Sequence, residues 1–388
     1  MVKHFLIESY KRGCVQLVRR PVYIIMMVVV PIFSAWFLLN LMDEGVIRNV
    51  PAAIVDLDNS DVSRNMYRNL SAFQQVDIQY KFNSYREGKK AVQRGEIMGF
   101  FVIPDDFEDK ALSGRQPEVT FYINYAYFPP GSLTFKGFKT ISLLTTGGIV
   151  QTVLRTIGMP KEEIQANLLP YVPHYHMPGN PYMNYNYYLS LSFVPCFFAL
   201  FVMLVTSFSI GVEMKAGLCR QWLRTGGDSI TLALSGKLVP QTILFTAVGW
   251  FIQWLMYCRY GLALNCPPWH MLVAMILFVM ANQGFAVLMM CIAPHFRYGG
   301  TLCTLFGMLS FSFVGFSLPQ EGMYPWVETI GFLVPIKYYF LISIDQALNG
   351  IPIYYSRYYY VALLLFIVAP MLLVLRLKRW CVNYVYVP

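Results

Sequence analysis

Three carboxylates lie close together near the start of the chain and could bind a cation. Asp56, Asp58 and Asp61 have the spacing of ligands in a calcium loop. The sixth position lacks the glycine and the twelfth position lacks the glutamate that an EF-hand needs. We therefore interpret the three residues as turn and helix-capping residues rather than as a metal site.

Two histidines offer a second candidate site. His174 and His176 flank Tyr175 in a segment rich in proline and tyrosine, but no further ligand lies near them in the sequence. A zinc site needs three or four protein ligands. The sequence also lacks a GxSxG, an HExxH and a P-loop, so we predict neither a bound metal nor a catalytic site in this chain.

The composition is that of a membrane protein. Hydrophobic residues make up 56% of the 388 residues, charged residues only 13%, and the mean hydropathy is +0.47. A net charge of +9 could indicate nucleic acid, but in so apolar a chain we attribute it to contact with anionic membrane lipid. The eight cysteines contain no CxxC pair, and none lies between residues 43 and 188, so no disulfide scaffold is expected there.

Hydropathy predicts an α-helical polytopic membrane protein with six transmembrane helices. The apolar runs cover residues 22–41, 189–211, 238–258, 271–293, 298–318 and 358–375. Each is long enough to cross about 30 Å of hydrocarbon at a rise of about 1.5 Å per residue. Residues 1–21 precede them with helical spacing of apolar residues and a basic face, which predicts an amphipathic helix on the membrane surface. A simple basic anchor for the first span is the alternative.

Loop charges predict the orientation. With the N-terminus in the cytoplasm, six spans place thirteen Lys and Arg residues inside and three in the short outer loops. A seventh span at residues 326–344 would carry Glu328 and Lys337 into lipid and move the basic tail, residues 378–388, outside. We therefore predict that residues 322–347 form a re-entrant helical hairpin broken at Pro335, where irregular backbone must pack against protein or a cavity.

A long segment separates the first two spans. We predict that residues 43–188 form an inserted α/β extracytoplasmic domain, after a first transmembrane helix at residues 22–42. Strands are predicted at 50–55, 76–82, 97–103 and 118–124, with helices between them capped by Asn59 or Ser60 and by Ser84. The remaining five helices occupy residues 189–377.

The loop between the second and third spans, residues 212–237, is the strongest candidate for a functional element. It is charged, and glycines interrupt it. A short cytoplasmic helix between two spans would give an ATPase subunit a stiff element on which it can exert force. Glu213, Lys215, Gly217, Arg220 and Arg224 are the candidates for such a coupling role, which charge alone does not establish. An ordinary basic cytoplasmic loop is the alternative reading of the same charges.

Motifs along the whole chain resemble those of permeases of type-2 ATP-binding-cassette exporters. Glu213 and Gly217 match the family's Glu-x-Glu-x-Gly-Thr signature, with Lys215 and Leu218 in place of its second Glu and its Thr. Further matches are Phe193-Val194-Pro195, Gly236-Lys237, and the series Gly315, Pro319, Pro325, Pro335 and Tyr338. The segment Ala53–Ser60 resembles the subgroup with a large domain after the first span.

The resemblance implies a permease that exports an amphipathic, drug-like or lipid-like substrate across the bacterial inner (plasma) membrane. ATP and magnesium would be bound by a separate ATPase subunit, and a second permease copy or a paralogue would complete the transporter. Pro319, Pro325, Pro335 and Tyr338 would shape the exit. The external domain would receive cargo or dock a periplasmic adaptor that leads to an outer-membrane channel.

Polar residues within the spans are few. Gln253, Asn282 and Gln283 either line a translocation path or form hydrogen bonds between helices. Two other functions remain open at this point. The chain could be a membrane-anchored receptor whose external domain docks a periplasmic partner, or, less in keeping with the missing catalytic motifs, a membrane-embedded enzyme.

Overall fold

The computed structural model describes residues 2–41, 43, 49–73, 76–113, 115, 117–126, 128–160, 162–164, 185–315 and 322–383. Its contacts divide the chain into two units. We call Val46–His176 the inserted unit, and Met1–Gly45 together with Met177–Pro388 the membrane unit.

The inserted unit is a four-stranded sheet with helices, as the alternating pattern predicts. Its elements are β1 (Val50–Asp56), α3 (Asp61–Ser71), β2 (Val76–Phe82), α4 (Tyr85–Gln93), β3 (Gly99–Ile103), α5 (Phe107–Leu112), β4 (Thr120–Ile123) and α6 (Phe128–Thr156). The strand order is β2-β1-β3-β4. Strand β1 pairs in parallel with β2 and β3, while β4 is antiparallel to β3. The two helices that follow β1 and β2 begin where the sequence predicts, because Ser60 and Ser84 accept hydrogen bonds from Ser63 N and Glu87 N.

The core of this unit lies on both faces of the sheet. Ile54 and Phe101 are fully buried on one face with Met66 and Phe138 from helices α3 and α6. Val55 and Phe100 are buried on the other face, against α4. The alternation of side chains along a strand distributes these residues to opposite faces.

Every secondary-structure element that the structure describes in the membrane unit is a helix. Its elements are α1 (Val2–Arg19), α2 (Pro21–Leu41), α7 (Tyr185–Lys215), α8 (Cys219–Thr225), α9 (Ile230–Trp254), α10 (Pro268–Ile292), α11 (Phe296–Phe313), α12 (Pro325–Phe332), α13 (Pro335–Ile342), α14 (Ile353–Val368) and α15 (Val374–Val382). Helices α9 and α13 continue as π-helical turns to Arg259 and Leu348.

Within the described ranges, five helical stretches are long and apolar enough to cross a membrane. They are Pro21–Leu41, Leu189–Lys215, Ile230–Arg259, Pro268–Ile292 and Ile353–Val382. The pair Pro325–Phe332 and Pro335–Leu348 meets the same test only when taken together, and it bends by 87° at its break. Helix α11, the fifth predicted span, is not among the five, since it begins with the polar run Arg297, Tyr298, Gly299 and Gly300. The chain is therefore a multi-pass membrane protein, while the count of six and the re-entrant path stay predictions.

Candidate functional site

A buried carboxylate holds together the predicted coupling region. Glu213 lies in the last turn of α7 and its side chain is 2% exposed. It accepts hydrogen bonds from three donors: Arg12 at 2.9 Å, Gln16 at 2.7 Å and Lys237 at 2.8 Å. Because a buried charge without a partner is costly, these three donors account for the presence of an acid here.

Lys237 connects this carboxylate to the third span and to the short helix α8. Its ammonium group is buried, and it donates a second hydrogen bond to the Ser209 carbonyl at 2.7 Å. It also lies 4.9 Å from the centre of the Trp222 ring, which suits a cation–π contact. Trp222 in turn donates its indole hydrogen to the Ala233 carbonyl at 3.1 Å, so α8 is fixed to the beginning of α9.

Small residues allow α1 to lie directly against α9. A Cβ atom added at Gly13 would come within 2.4 Å of the Gly236 carbonyl oxygen. One added at Gly236 would come within 2.1 Å of the Ser9 hydroxyl, which donates to the Leu232 carbonyl at 3.3 Å. Glycine at both positions brings Arg12 and Gln16, one turn apart on α1, within reach of Glu213.

Glycine-based caps define both ends of the link between α7 and α9. Gly217 has a φ of 67°; its N–H bonds to Met214 O and that of Leu218 bonds to Glu213 O. These two hydrogen bonds form a Schellman cap, in which one residue adopts the left-handed backbone conformation and is usually glycine. The same pattern recurs at Gly227, whose φ is 62°, so both turns around α8 have fixed geometry.

One face of α8 is buried and the other is exposed and basic. Trp222 and Leu223 are buried in a cluster that also includes residues of α15. Lys215, Arg220 and Arg224 are exposed. Arg220 donates to the Val382 carbonyl, whereas Lys215 and Arg224 form no ion pair with any residue that the structure describes.

The structure thus divides the predicted coupling residues into two groups. Lys215, Gly217, Arg220 and Arg224 are at the surface, and Glu213 is enclosed beneath them. Sequence reasoning did not identify Arg12 and Gln16 as partners of Glu213, nor the pairing of Glu213 with Lys237. The available signal was the i, i+4 spacing of Arg12 and Gln16 on an amphipathic helix.

The predicted exit residues lie around the break between α12 and α13. Pro325 and Pro335 each occupy the first turn of a half-helix, where proline needs no hydrogen-bond donor. Tyr338 donates its hydroxyl hydrogen to the Phe332 carbonyl at 3.0 Å across the break. Pro319 lies outside the described residues. A role for these residues in the exit stays a prediction.

The three amides within the spans differ in their surroundings. Gln253 donates to the Met271 carbonyl and to the Tyr339 hydroxyl, and thereby connects three helices. Gln283 accepts from Thr242 at 2.7 Å and lines a cavity of about 210 Å³ between α9, α10 and α14. Asn282 donates to the Phe278 carbonyl of its own helix. Interhelical hydrogen bonds are therefore observed for Gln253 and Gln283, and a translocation path stays a prediction.

The three aspartates near the start of the inserted unit act as turn and cap residues. Asp56 accepts from Asn59 N and the Ser63 hydroxyl, and Asp58 accepts from Phe107 N and Glu108 N at the start of α5. The Arg64 guanidinium donates to Asp61 at 2.6 Å and holds the pKa of that carboxyl below its ordinary value. Among the described residues, no group of three or more acidic, histidine or cysteine side chains could hold a metal. His174 and His176 lie outside them.

Comparison with known proteins identifies a family to which the chain is similar. A family model described as ABC-2 family transporter protein matches residues 21–376. No curated protein matches the chain. The matched range includes four of the five apolar helical stretches and most of the fifth, together with Glu213 and Lys237, the segment around α8 and the whole inserted unit.

Proposed function

The chain belongs to the ABC-2 family of transporter proteins, and on that premise we propose that it is the membrane subunit of an ATP-driven exporter. Members of this family are membrane components of ABC transporters rather than catalysts. In the proposal, a separate ATPase subunit binds ATP and magnesium and docks on the exposed basic face of α8.

The observation that carries this proposal is the way in which α8 is mounted. Its exposed face carries Arg220 and Arg224, and its buried face is fixed through Trp222 to Lys237. Lys237 is bonded to Glu213 at the end of the second predicted span. A displacement of α8 would therefore move two spans and α1. Trp222 of α8 contacts Lys237, and Lys237 and Arg12 are both paired with Glu213.

The rest of the proposed mechanism follows from a movement of α8 that the ATPase subunits cause. Closure of the ATPase subunits would move α8 and shift the spans between two packings. A second copy of the chain or a paralogue would supply the other half. We place the protein in the bacterial inner membrane with both termini in the cytoplasm, and we propose an amphipathic cargo. The inserted unit would receive this cargo or dock a periplasmic adaptor and, through it, an outer-membrane channel.

Co-purification tests the docking surface. The chain is co-expressed with candidate ATP-binding-cassette ATPase subunits from its own organism, extracted in detergent, and assayed for complex formation and ATP hydrolysis. We expect the double variant Arg220→Glu, Arg224→Glu to lose the complex by at least about tenfold, because two attractive contacts become repulsive at the interface. The matched control is Arg94→Glu, which reverses one exposed charge in the inserted unit.

The result has clear alternatives. If the wild-type chain purifies alone and recruits no ATPase, the exporter proposal fails and the membrane-anchored receptor gains support. If the complex forms and the double variant binds as well as the control, the exporter proposal stands but α8 is not the docking surface.

A further inference from the structure

The inserted unit contains a cavity large enough for a small molecule. It has a volume of about 610 Å³ and lies between α3, α5, the segment before β4, and α6. Sites for small molecules have volumes of about 300–1,000 Å³ and combine an apolar lining with a few polar groups. Phe107, Phe121 and Ile149 contribute to the apolar part of this lining.

Two hydroxyl groups in the cavity wall have no hydrogen-bond partner among the residues that the structure describes. They belong to Ser142 and Thr145 of α6, and the Thr145 side chain is 9% exposed. Other hydroxyls on the same helix behave differently. Those of Thr140, Thr146 and Thr152 donate to the carbonyl four residues earlier at 2.7, 2.9 and 2.9 Å. Buried polar groups in folded proteins are nearly always bonded, so the unbonded pair indicates a partner outside the described residues, and a bound molecule is one that the cavity has room for.

The charge in the lining has a single sign. Arg115 is the only ionisable residue among those that line the cavity. Its Nε donates to the Ser113 hydroxyl at 3.2 Å, and it forms no ion pair within the described part of the chain. A planar guanidinium at the edge of an apolar cavity suits a carboxylate, sulfonate or phosphate group.

We propose that this cavity binds one amphipathic molecule with an apolar body and a single anionic head. The body contacts Phe107, Phe121 and Ile149. The head lies toward Arg115, and acceptor atoms of the molecule take hydrogen bonds from Ser142 and Thr145. Binding at this site does not require the ATPase partner. The inference rests on the proposed function only in taking the bound molecule as transported cargo.

The test uses the full chain in phosphatidylcholine nanodiscs and two dyes of similar shape. The anionic dye is 8-anilinonaphthalene-1-sulfonate and the neutral one is N-phenyl-1-naphthylamine, with empty nanodiscs as background. We expect one saturable site per chain for the anionic dye. Arg115→Gln should weaken its binding by about tenfold, as loss of a charge-assisted hydrogen bond does, and should change binding of the neutral dye by less than about twofold.

Two further variants locate the site. Ile149→Trp fills the cavity and should abolish binding of both dyes, while Thr145→Val removes one hydroxyl without changing the shape and should weaken the anionic dye severalfold. Arg94→Gln, the matched surface control, should bind both dyes like the wild type, and thermal unfolding checks that each variant is folded.

Three outcomes would overturn the proposal. One is the absence of saturable binding, and another is equal binding by Arg115→Gln and Arg94→Gln. The third is a change of oligomeric state rather than of dye binding in Ile149→Trp, which would mean that a second copy covers the cavity. None of these results depends on recruitment of an ATPase, so failure here is distinct from failure of the exporter proposal.

Discussion

At the scale of single residues, the unusual feature is a carboxylate and an ammonium group buried at the end of a membrane span. Glu213 and Lys237 are 2% and 4% exposed, and Arg12 lies beside them at 19%. Two cations face one anion, so the cluster carries a net positive charge. Replacing such a group with well-packed apolar residues is often harmless, whereas removing one partner is not. The cluster is therefore sensitive to single changes.

Glu213→Gln is the sharpest test of the cluster. The amide keeps the shape of the side chain but leaves Lys237 and Arg12 close together without a counter-charge. We expect the free energy of unfolding to fall by about 3–5 kcal/mol, the usual cost of breaking a buried pair. Thermal unfolding of the detergent-solubilised chain measures this loss.

A double-mutant cycle separates the pair from its surroundings. Lys237→Met should also be destabilising, and the combination with Glu213→Gln should cost less than the sum of the two single changes, because the second change removes the charge that the first left unpaired. Arg94→Gln, which breaks an exposed pair, should cost at most about 1 kcal/mol. If Glu213→Gln and Lys237→Met each lower the free energy of unfolding by no more than about 1 kcal/mol, and the two losses add in the double variant, the cluster contributes nothing to stability.

At the scale of elements, local signals predict the inserted unit well. Strand β2 has the predicted bounds, and the other three strands lie within or within one residue of theirs. Ser60 and Ser84 cap the predicted helices. These features depend on neighbours within a few residues, namely alternation of side chains and capping by serine, and so they can be derived from sequence.

The bounds of the third span show what the sequence could not reveal. A hydropathy reading begins this span at residue 238, since it stops at the charge of Lys237. Helix α9 begins eight residues earlier, at Ile230, and it buries that lysine. Burial is tolerated because Glu213, 24 positions away, supplies the partner. Pairing across that distance is a property of the tertiary structure, and a hydropathy profile carries no information about it.

The close contact between α1 and α9 gives the prediction at this scale. In Gly236→Ala the new Cβ would lie 2.1 Å from the Ser9 hydroxyl and 2.6 Å from the Ser9 carbonyl carbon, so the helices must separate. We expect a loss of about 1–3 kcal/mol, as for an overpacked core, together with faster hydrogen exchange in α1. Hydrogen exchange read by mass spectrometry measures both the location and the size of the effect.

Gly300→Ala is the matched control, because a Cβ there meets no atom within 4 Å in α11. It should leave α1 unchanged and be neutral or stabilising by up to about 1 kcal/mol, the helix propensity difference. Equal exchange in α1 for the two variants would mean that the close approach of α1 and α9 does not matter for stability.

At the scale of the whole molecule, the arrangement is a helical membrane unit interrupted by an α/β unit between its first and second apolar helices. The family model spans both units. Orientation and span count remain predictions from loop charges. Helix α11 and the bent pair α12 and α13 together decide the count. If α11 crosses the membrane and the pair is re-entrant, α15 ends on the cytoplasmic side; a broken span at the pair, or an α11 that does not cross, each by itself moves the end of α15 to the opposite side.

Cysteines introduced one at a time at three exposed positions test both predictions. Native Cys219 is buried and unsuitable as a reporter, and the exposed Cys258 and the partly exposed Cys14 and Cys266 are first replaced by serine. Lys89→Cys, Arg224→Cys and Arg379→Cys are then treated in intact spheroplasts with a maleimide that cannot cross membranes, and again after permeabilisation. With six spans and a re-entrant pair, Lys89→Cys reacts at once, and the other two react only after permeabilisation. If Arg379→Cys reacts in intact spheroplasts while Arg224→Cys does not, either α12 and α13 cross the membrane or α11 does not, and the prediction of six spans with a re-entrant pair is wrong. If Lys89→Cys is protected and Arg224→Cys reacts, the inserted unit is cytoplasmic and the face of α8 is beyond the reach of a cytoplasmic ATPase.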